Sequence, residues 1–377
     1  MAKCSIVIDL GFGDAGKGLT TSFLASHKPK ETLVIRFSGG HQIGHTVKNE
    51  ELSHTFSNFG SGTLQGIPTY YSEHTTLFPP AILEEGNYLN KYQPKLYFNP
   101  LAMVTTIYDI AYNRAIEKQQ RHGSCGLGFG TTIARNKEDV YFYANDLQFA
   151  SIIKQRLNSI RVYYTKLILN QPKSVQDYFE KELKNYDEAY YIETCLAIQK
   201  FYRLEGLSTL ASSYSDFIFE GSQGILLDTQ HGFYPHTTWS NTTSKNAIQL
   251  IKKHLGNHVE IAIYYVTRCY QTRHGNGPMA NTESVTLENN EHETNVTNEF
   301  QGEFRVKALD SELLNYALSC DAIYHEELKT TKNLIITCLD QLSEFSSSDL
   351  LQKIKTNFNT VYGSYSPMSQ FIKKISE

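Results

Sequence analysis

The sequence contains no long apolar run, no closely paired cysteines and no excess of basic charge. No stretch approaches the roughly 18 apolar residues of a membrane-spanning helix, and no charged and apolar leader opens the chain, so we expect no membrane segment and a cytoplasmic protein. The six cysteines include no CxxC pair, which argues against a zinc ribbon and a disulfide framework. Because 35 basic and 39 acidic residues are mixed along the chain, we expect no nucleic-acid partner.

A glycine-rich loop follows the first apolar run. Residues 11–18 read Gly-Phe-Gly-Asp-Ala-Gly-Lys-Gly, between the strand-like residues 4–10 and the helix-like residues 19–25. The free N–H groups of such a turn and the positive end of the helix dipole favour an anion, which predicts a nucleotide phosphate site. Gly18 replaces the Ser or Thr that usually binds magnesium, and Asp14 offers a carboxylate inside the loop instead. The alternative is a tight turn with no ligand.

Other continuous apolar runs predict parallel strands that are covered on both faces. They lie at residues 32–37, 216–219, 259–266 and 333–337. Residues 152–169 and the leucines of residues 309–318 have helical spacing. We predict an α/β fold with a P-loop-like, mostly parallel central sheet, flanking helices and long functional loops, in a single domain over residues 1–377. Residues 281–298 and 343–349 are polar and are predicted to be weakly ordered.

A second glycine-rich loop, residues 37–46, contains His41 and His45. It reads Phe-Ser-Gly-Gly-His-Gln-Ile-Gly-His-Thr and follows a predicted strand. Its glycines let the backbone approach a ligand while an imidazole reaches in. The pattern favours a ligand contact for at least one histidine; the alternative is an ordinary surface or core position for each.

Two later segments are rich in ligand-binding groups. Residues 219–243 combine glycine, amide and hydroxyl side chains with the only tryptophan of the chain. Because ordering a long polar loop costs entropy, we predict that this loop binds a ligand. Residues 267–278 place Arg268 and Arg273 before a glycine turn, for which the alternative is a solvated basic strand end.

These four motifs, in this order, resemble those of the adenylosuccinate synthetase family. The family has a Gly-Asp-Glu-Gly-Lys-Gly loop, a Gly-Gly-His-Asn-Ala-Gly-His-Thr loop, a Glu-Gly-Ala-Gln-Gly segment ending in Ser-Asn-Thr-Thr, and a Thr-Arg-x-Gly-x-Gly-Pro turn. The resemblance implies a ligase that works in two steps. The γ-phosphate of GTP is transferred to the 6-oxygen of IMP, and the amine of L-aspartate then displaces it to give adenylosuccinate.

The resemblance also implies roles for residues of this chain. Asp14 matches the base that takes the purine N1 proton, and His45 matches the acid that stabilises charge between the 6-oxygen and the γ-phosphate. Gln223 is the third catalytic residue, and magnesium would be bound by Asp14 and the Gly44 carbonyl. The triphosphate would be held by Gly13, Gly16, Lys17 and Gly18. The purine monophosphate contacts are matched by Gln42, Ser124, Cys125, Arg135, Gln223 and Thr238, and Arg135 would reach a neighbouring subunit of a homodimer.

The nucleoside of the triphosphate is matched near the C-terminus. Asp340 corresponds to the family's aspartate that accepts N–H groups of guanine, and Ser364 and Pro367 to the other half of that pocket. GTP is therefore favoured over ATP, because an unpaired buried carboxylate facing adenine is costly.

The chain departs from the family in its aspartate-binding loop. Ordinary members carry a run of arginines there, whereas residues 298–310 contain only Arg305 and Lys307 as cations. Arg305 can still bind a carboxylate of L-aspartate. The Gln-Gly-x-x-Arg form of the loop is similar to viral relatives that act on dGMP, but those often lack the base that Asp14 supplies. We therefore expect IMP or dIMP as the substrate, with dGMP and a non-catalytic nucleotide sensor as alternatives.

Overall fold

A computed structural model describes residues 1–120, 123–256, 258–279, 281–295 and 302–376. Within these ranges the strands are β1 (Ala2–Asp9), β2 (Thr32–Arg36), β3 (His45–Lys48), β4 (Ser53–Phe56), β5 (Thr69–Tyr71), β6 (Thr76–Leu77), β7 (Leu96–Phe98), β8 (Met103–Val104), β9 (Tyr202–Leu204), β10 (Asp216–Gly224), β11 (Val259–Arg268), β12 (Tyr270–His274), β13 (Phe304–Ala308), β14 (Thr330–Thr337), β15 (Thr360–Ser364) and β16 (Ile372–Ser376). The α-helices are α1 (Lys17–Ala25), α2 (Pro79–Tyr88), α3 (Ile107–Gln120), α4 (Phe129–Lys137), α5 (Ala150–Leu169), α6 (Lys173–Leu183), α7 (Glu188–Ala197), α8 (Leu207–Leu210), α9 (Lys245–Leu250), α10 (Ser311–Ala322) and α11 (Ser347–Lys353).

The central sheet of the described residues has ten strands in the order β16-β15-β14-β11-β1-β10-β2-β5-β7-β9. Its neighbouring strands are parallel except for β15 and β16. The strands predicted from continuous apolar runs are β1, β2, β10, β11 and β14, which lie side by side in the middle of the sheet and are largely buried. The predicted α/β fold with a mostly parallel sheet is therefore confirmed.

Both faces of the sheet are covered by apolar packing. Ile6 and Ile8 of β1 face one core cluster, which includes Leu314 and Leu318 of α10, and Val7 between them faces another. A further cluster packs α3, α5, α6 and α7 against β7. Alternating strand residues thus enter opposite layers, as a parallel sheet between two layers of helices requires.

The carboxyl ends of the central strands gather the predicted loops at one edge of the sheet. β1 runs into residues 11–18, β2 into residues 37–46, and β10 into residues 225–243. β11 and β14 end at Arg268 and Thr337 beside them. Open α/β sheets bind their ligands at this edge, where the loops of adjacent strands meet.

One local prediction is wrong and one stays partly open. Residues 343–349 are not wholly irregular, because α11 begins at Ser347 and the Ser346 hydroxyl caps it by accepting the Asp349 N–H at 3.2 Å. Residues 281–295 have little regular structure, as predicted, and residues 296–298 lie outside the described ranges. Among the described helices, none is long and apolar enough to cross a membrane.

Candidate active site

A cavity of about 1160 Å³ opens at the carboxyl edge of the sheet. This volume exceeds the roughly 300–1000 Å³ of a site for one small molecule, so several reactants fit side by side. The predicted residues that line it are Gly13, Asp14, Gly16, Lys17, Gly18, Gln42, Gly44, His45, Ser124, Cys125, Gln223, Thr238, Asp340 and Pro367. Arg135, Arg305 and Ser364 do not belong to its lining. The sequence motifs therefore converge, with three exceptions treated below.

Asp9, the last residue of β1, organises the glycine-rich loop of residues 11–18, which we call the phosphate loop after its predicted ligand. Its buried carboxylate accepts the Gly11 N–H at 2.7 Å, the Ala15 N–H at 2.9 Å and the Lys17 ammonium at 3.0 Å. An ammonium has three N–H donors, so Lys17 keeps donors for a phosphate while Asp9 fixes its position. The first turn of α1 begins directly behind, with Gly16 in the left-handed conformation.

Gly18 is glycine for a steric reason. A Cβ at this position would lie 2.8 Å from the His45 Cβ and 3.0 Å from the Ser61 hydroxyl, distances that packed atoms do not reach. The residue that replaces the usual Ser or Thr thus lets His45 approach the phosphate loop. Gly224 acts similarly, since its Cβ would lie 2.1 Å from the Gly11 carbonyl oxygen and would separate the loop of Gln223 from the phosphate loop.

His45 is held by a carboxylate behind it. Its Nδ1 lies 3.1 Å from Glu220 Oε1, and Glu220 lies 3.9 Å from the Arg36 guanidinium, all three side chains being almost fully buried. Burial raises the pKa of Glu220, but His45 and Arg36 outweigh it and lower that pKa to about 2. Burial lowers the pKa of His45 more strongly than Glu220 raises it. The pair is therefore an ionised carboxylate and a neutral imidazole, whose Nε2 has no protein partner.

Asp14 is held from two sides. Its carboxylate lies 3.4 Å from His274 Nε2, and its carbonyl accepts the Arg268 Nε–H at 2.6 Å. Burial raises the pKa of Asp14, but the hydrogen bond from His274 and then the charges of Arg268, His274 and Lys17 outweigh it and bring that pKa below its ordinary value. The carboxylate is thus ionised and a quarter exposed to the cavity.

His41 has a different environment from His45. It is only 7 % exposed, its ring packs 4.8 Å from the Phe78 ring, and neither ring nitrogen has a hydrogen-bond partner. Burial lowers the pKa of His41 to about 3. Of the two histidines in the second glycine loop, His45 lines the cavity and His41 supports the loop from beneath.

Arg135 does not face a neighbouring subunit. Its guanidinium is fully buried, lies 2.9 Å from Asp109 and donates to the Val104 and Val140 carbonyls. The predicted contact across a homodimer is wrong for this residue, because a side chain enclosed between α3 and α4 has no path to the surface. Lys137, two residues further along α4, lines the cavity instead.

The far end of the cavity partly matches the predicted base pocket. Asp340, Pro367 and Ser366 line it, together with Asn289 and Glu291. Ser364 is fully buried in β15 and donates its hydroxyl to the Ser366 carbonyl at 2.8 Å, so its predicted contact with the triphosphate is wrong.

Two arginines stand opposite each other beyond the phosphate loop. Arg273 of β12 pairs in register with Arg305 of β13, and Arg273 lines the cavity. The Arg273 guanidinium lies 4.1 Å from the Phe12 ring, and the Arg305 guanidinium donates to the Gly277 carbonyl at 2.6 Å. Burial and then the charge of Arg305 lower the pKa of Arg273 to about 10. Arg305 itself lies behind the lining, and the preceding residues 296–301 are outside the described ranges.

The lining residues for which purine monophosphate contacts are predicted differ in whether they have protein partners. Both amide atoms of Gln42 are buried and unpartnered, whereas the Ser124 hydroxyl accepts from Asn113 at 3.1 Å. Thr238 is fixed through its N–H, which donates to the Leu227 carbonyl at 2.7 Å. Burial raises the pKa of the Cys125 thiol to about 11, so it is neutral.

Sequence reasoning missed the supporting residues Asp9, Glu220 and His274. Asp9 and Glu220 end apolar strand runs, and a lone acidic residue at the carboxyl end of a buried strand is the signal that could have found them. Arg273 and His274 belong to the motif of residues 267–278, but no sequence pattern within that motif indicates that His274 lies beside Asp14.

The family model described as adenylosuccinate synthetase matches residues 6–370. Among curated relatives, the adenylosuccinate synthetase of Nitrosococcus oceani is 28 % identical over 296 residues, or 74 % of this chain and 64 % of that protein. The one from Thermoplasma acidophilum is 27 % identical over 368 residues, or 90 % of this chain and 77 % of that protein. The match thus spans a little under two thirds of the first relative's length.

Two solved structures are similar in fold. A fully ligated adenylosuccinate synthetase from Plasmodium falciparum superposes with a TM-score of 0.73 at 16 % identity, covering 99 % of each chain. The succinoaminodeoxyadenylate synthetase of cyanophage S-2L, bound to dGMP and to dATP as an energy donor, gives 0.65 at 16 % identity and covers 99 % of this chain and 95 % of that one. With the family model matching nearly the whole chain, the protein belongs to the adenylosuccinate synthetase family, whose members are ligases that form a carbon–nitrogen bond.

Proposed function

We propose that the protein is a GTP-dependent ligase that condenses a 6-oxopurine nucleoside monophosphate, IMP or dIMP, with L-aspartate to give adenylosuccinate or its deoxy form. The observation that carries the proposal is the placement of Asp14, His45 and Lys17 on one cavity, with an ionised carboxylate, a neutral imidazole and a cation beside each other. A nucleotide sensor needs the cation but has no use for the other two.

In the first step Asp14 takes the N1 proton of the purine, which leaves negative charge on the 6-oxygen. That oxygen attacks the γ-phosphorus of GTP, its bond forms as the bond to the β–γ bridging oxygen breaks, and GDP leaves. To stabilise the developing negative charge, His45 must carry a proton on its unpartnered Nε2, so the neutral imidazole would take up a proton as the nucleotides bind, with Glu220 at 3.1 Å from Nδ1 stabilising the imidazolium. In the second step the amine of aspartate attacks C6, and inorganic phosphate leaves with the 6-oxygen.

Lys17 and the N–H groups of residues 13–18 would hold the phosphates. The Asp14 carboxylate and the Gly44 carbonyl are oxygen donors on the same cavity, which fits magnesium. Among the described residues, no group of three or more acidic, histidine or cysteine side chains is arranged to hold a metal ion, so phosphate oxygens and water would complete the coordination. When bound, magnesium would neutralise charge on the phosphates.

The residues that line the cavity also suggest where the nucleoside of the triphosphate, the amino acid and the purine monophosphate would bind. Asp340 can accept the N1–H and N2–H of guanine, which favours GTP, although ATP also fits the cavity. Arg273, with Arg305 behind it, would hold the carboxylates of the amino acid. Gln42, Ser124, Cys125, Gln223 and Thr238 would contact the purine monophosphate, and Lys137 supplies the cation that Arg135 does not. The homodimer that the family resemblance implies stays a proposal, without the contact predicted for Arg135.

A second candidate is the use of dGMP, as in the phage enzyme of similar fold. The observation in its favour is the Gln-Gly-x-x-Arg sequence of residues 301–305, which stands where ordinary family members have a run of arginines. Asp14 is retained in this chain, whereas the viral relatives that act on dGMP often lack this base, which favours IMP or dIMP.

The test is mass spectrometry of products from magnesium, GTP or ATP, and L-aspartate with IMP, dIMP, GMP or dGMP in turn. A succinyl adduct on IMP or dIMP supports the proposal and identifies the sugar. An adduct on dGMP alone supports the second candidate, and triphosphate binding without any adduct contradicts both.

The variant Asp14→Asn separates catalysis from binding. We expect it to abolish turnover while it leaves triphosphate affinity within a few-fold, because the amide keeps the size of the side chain but cannot take a proton. Calorimetric titration of the triphosphate checks the second part. Normal turnover by this variant would contradict the assignment of Asp14 as the base.

A further inference from the structure

We propose that His274 is a positioning residue, which holds the Asp14 carboxylate in place through its Nε2–H and is itself held by Asn295 and Glu293. This inference rests on the proposed function, since it concerns how the base of that reaction is aligned. It assigns a role to a residue that touches neither phosphate nor purine in the mechanism above.

His274 is set for this contact by its own neighbours. Its Nε2 lies 3.4 Å from Asp14 Oδ2 and 3.2 Å from Asn295 Oδ1, so a single N–H points between two acceptors. The ring packs 4.8 Å from the Phe304 ring across the β12–β13 pair, which restricts its rotation. The bond is made by an N–H that both the neutral and the charged imidazole can carry.

The contact is part of a closed circuit of hydrogen bonds. Asn295 donates from its N–H and its Nδ2 to Glu293 at 3.0 and 2.6 Å, and Glu293 accepts from Arg268 at 2.6 Å. Arg268 completes the circuit by donating to the Asp14 carbonyl at 2.6 Å. One segment, residues 293–295, therefore fixes both the backbone and the side chain of Asp14.

Asp14 needs such support because its own backbone is unusual. Its φ of 36° lies in the left-handed region, which a residue other than glycine adopts only when its surroundings hold it there. The side chain also projects into a large cavity and is a quarter exposed. Without a donor at the position of His274 Nε2, the carboxylate would be free to rotate away from the purine.

Three substitutions at one position test this inference. His274→Gln keeps an N–H donor at the ε position, His274→Asn moves the donor one bond closer to the backbone, and His274→Leu removes it. We expect kcat to fall roughly tenfold or more for Asn and Leu, because misplacement of a reacting group by about 1 Å is that costly. For Gln, kcat should stay within about threefold of the wild type. KM for both nucleotides should change little in all three variants. His27→Leu, at an exposed histidine far from the cavity, is the matched control.

Crystal structures of the same variants give a readout that does not depend on turnover. We expect the Asp14 carboxylate to stay within about 0.5 Å of its place in the Gln variant and to move or lose order in the Leu variant. An Asp14 that stays in place in all three, or a Gln variant no better than Asn, overturns the inference. If the wild type forms no adduct with any nucleotide, the proposed function fails, and the position of Asp14 still decides this inference.

Should His274→Leu not fold, Asn295→Ala tests the same circuit, with a smaller fall in kcat expected and an unchanged kcat overturning it.

Discussion

Glu220 shows how a single buried residue can govern a reacting one. Its ionised carboxylate lies 3.1 Å from His45 Nδ1 and thereby favours a proton on that nitrogen and sets the direction of the imidazole. We expect Glu220→Gln to lower kcat by at least about 100-fold, because a positioned proton-transfer group contributes on this scale and the amide no longer stabilises positive charge on His45. Steady-state kinetics with the productive nucleotide measure the effect.

The chain supplies its own control for that variant. His54 and Glu85 form a second histidine–carboxylate pair at 3.2 Å, and neither residue lines the cavity. Glu85→Gln removes the same charge from the same kind of pair, so its kcat should stay close to that of the wild type. Equal effects of the two substitutions would contradict a catalytic role for the Glu220–His45 pair.

His41 makes stability depend on pH. Its pKa is about 3 in the folded protein and 6.5 as the ordinary value, so below pH 6.5 the unfolded chain binds a proton that the folded protein excludes. Stability is therefore lost as the pH falls from 6.5 towards 3, and about 2 kcal/mol is lost between pH 7 and pH 5. His41→Phe removes the titrating group but keeps an aromatic ring against Phe78. Denaturant unfolding at both pH values should show a loss about 2 kcal/mol smaller in the variant; an identical loss would exclude His41 as the cause.

At the scale of elements, the ion pair between α3 and α4 illustrates the cost of an internal charge. Arg135→Met leaves Asp109 buried without its cation, and we expect the free energy of unfolding to fall by roughly 3–5 kcal/mol. Arg156→Met breaks an Arg–Asp pair in which the arginine is 38 % exposed and should cost less than about 1 kcal/mol. Urea unfolding of both variants measures the difference, and similar small losses would show that Arg135 is not structurally required.

The same elements show what sequence reasoning can and cannot reach. β1, β2, β10, β11 and β14 were predictable because a strand covered on both faces is apolar without alternation. The phosphate loop was predictable because its glycines serve a local backbone need. The direction of Arg135 was not, because it depends on Asp109, which an earlier helix brings beside it. The contact between His274 and Asp14 likewise follows from the order of strands, which no local pattern encodes.

For the molecule as a whole, the cavity unites loops from five neighbouring strands in one volume of about 1160 Å³. Lys17 and Asp340 belong to the proposed triphosphate subsite, and Ser124 and Thr238 belong to the proposed monophosphate subsite. The proposed reaction requires the triphosphate and the monophosphate to be bound together, since the phosphoryl group passes directly between them. Two nucleotides that shared one subsite would compete and could not react.

Because a bound ligand stabilises the folded state, unfolding measurements distinguish two separate nucleotide sites from one shared site. A ligand at about 100 times its Kd stabilises the folded state by about 2.7 kcal/mol, so two ligands at separate sites give about 5.4 kcal/mol, whereas competition for one site gives about 3 kcal/mol. We expect the additive value for IMP together with a GTP analogue whose γ-phosphate cannot be transferred, measured by denaturant unfolding with magnesium present. Lys17→Met should lose the part due to the triphosphate and keep the part due to IMP, because Lys17 belongs to the proposed triphosphate subsite, whereas the IMP contacts are assigned to other residues. A combined stabilisation of only about 3 kcal/mol would mean that the cavity holds one nucleotide at a time, which is incompatible with direct phosphoryl transfer.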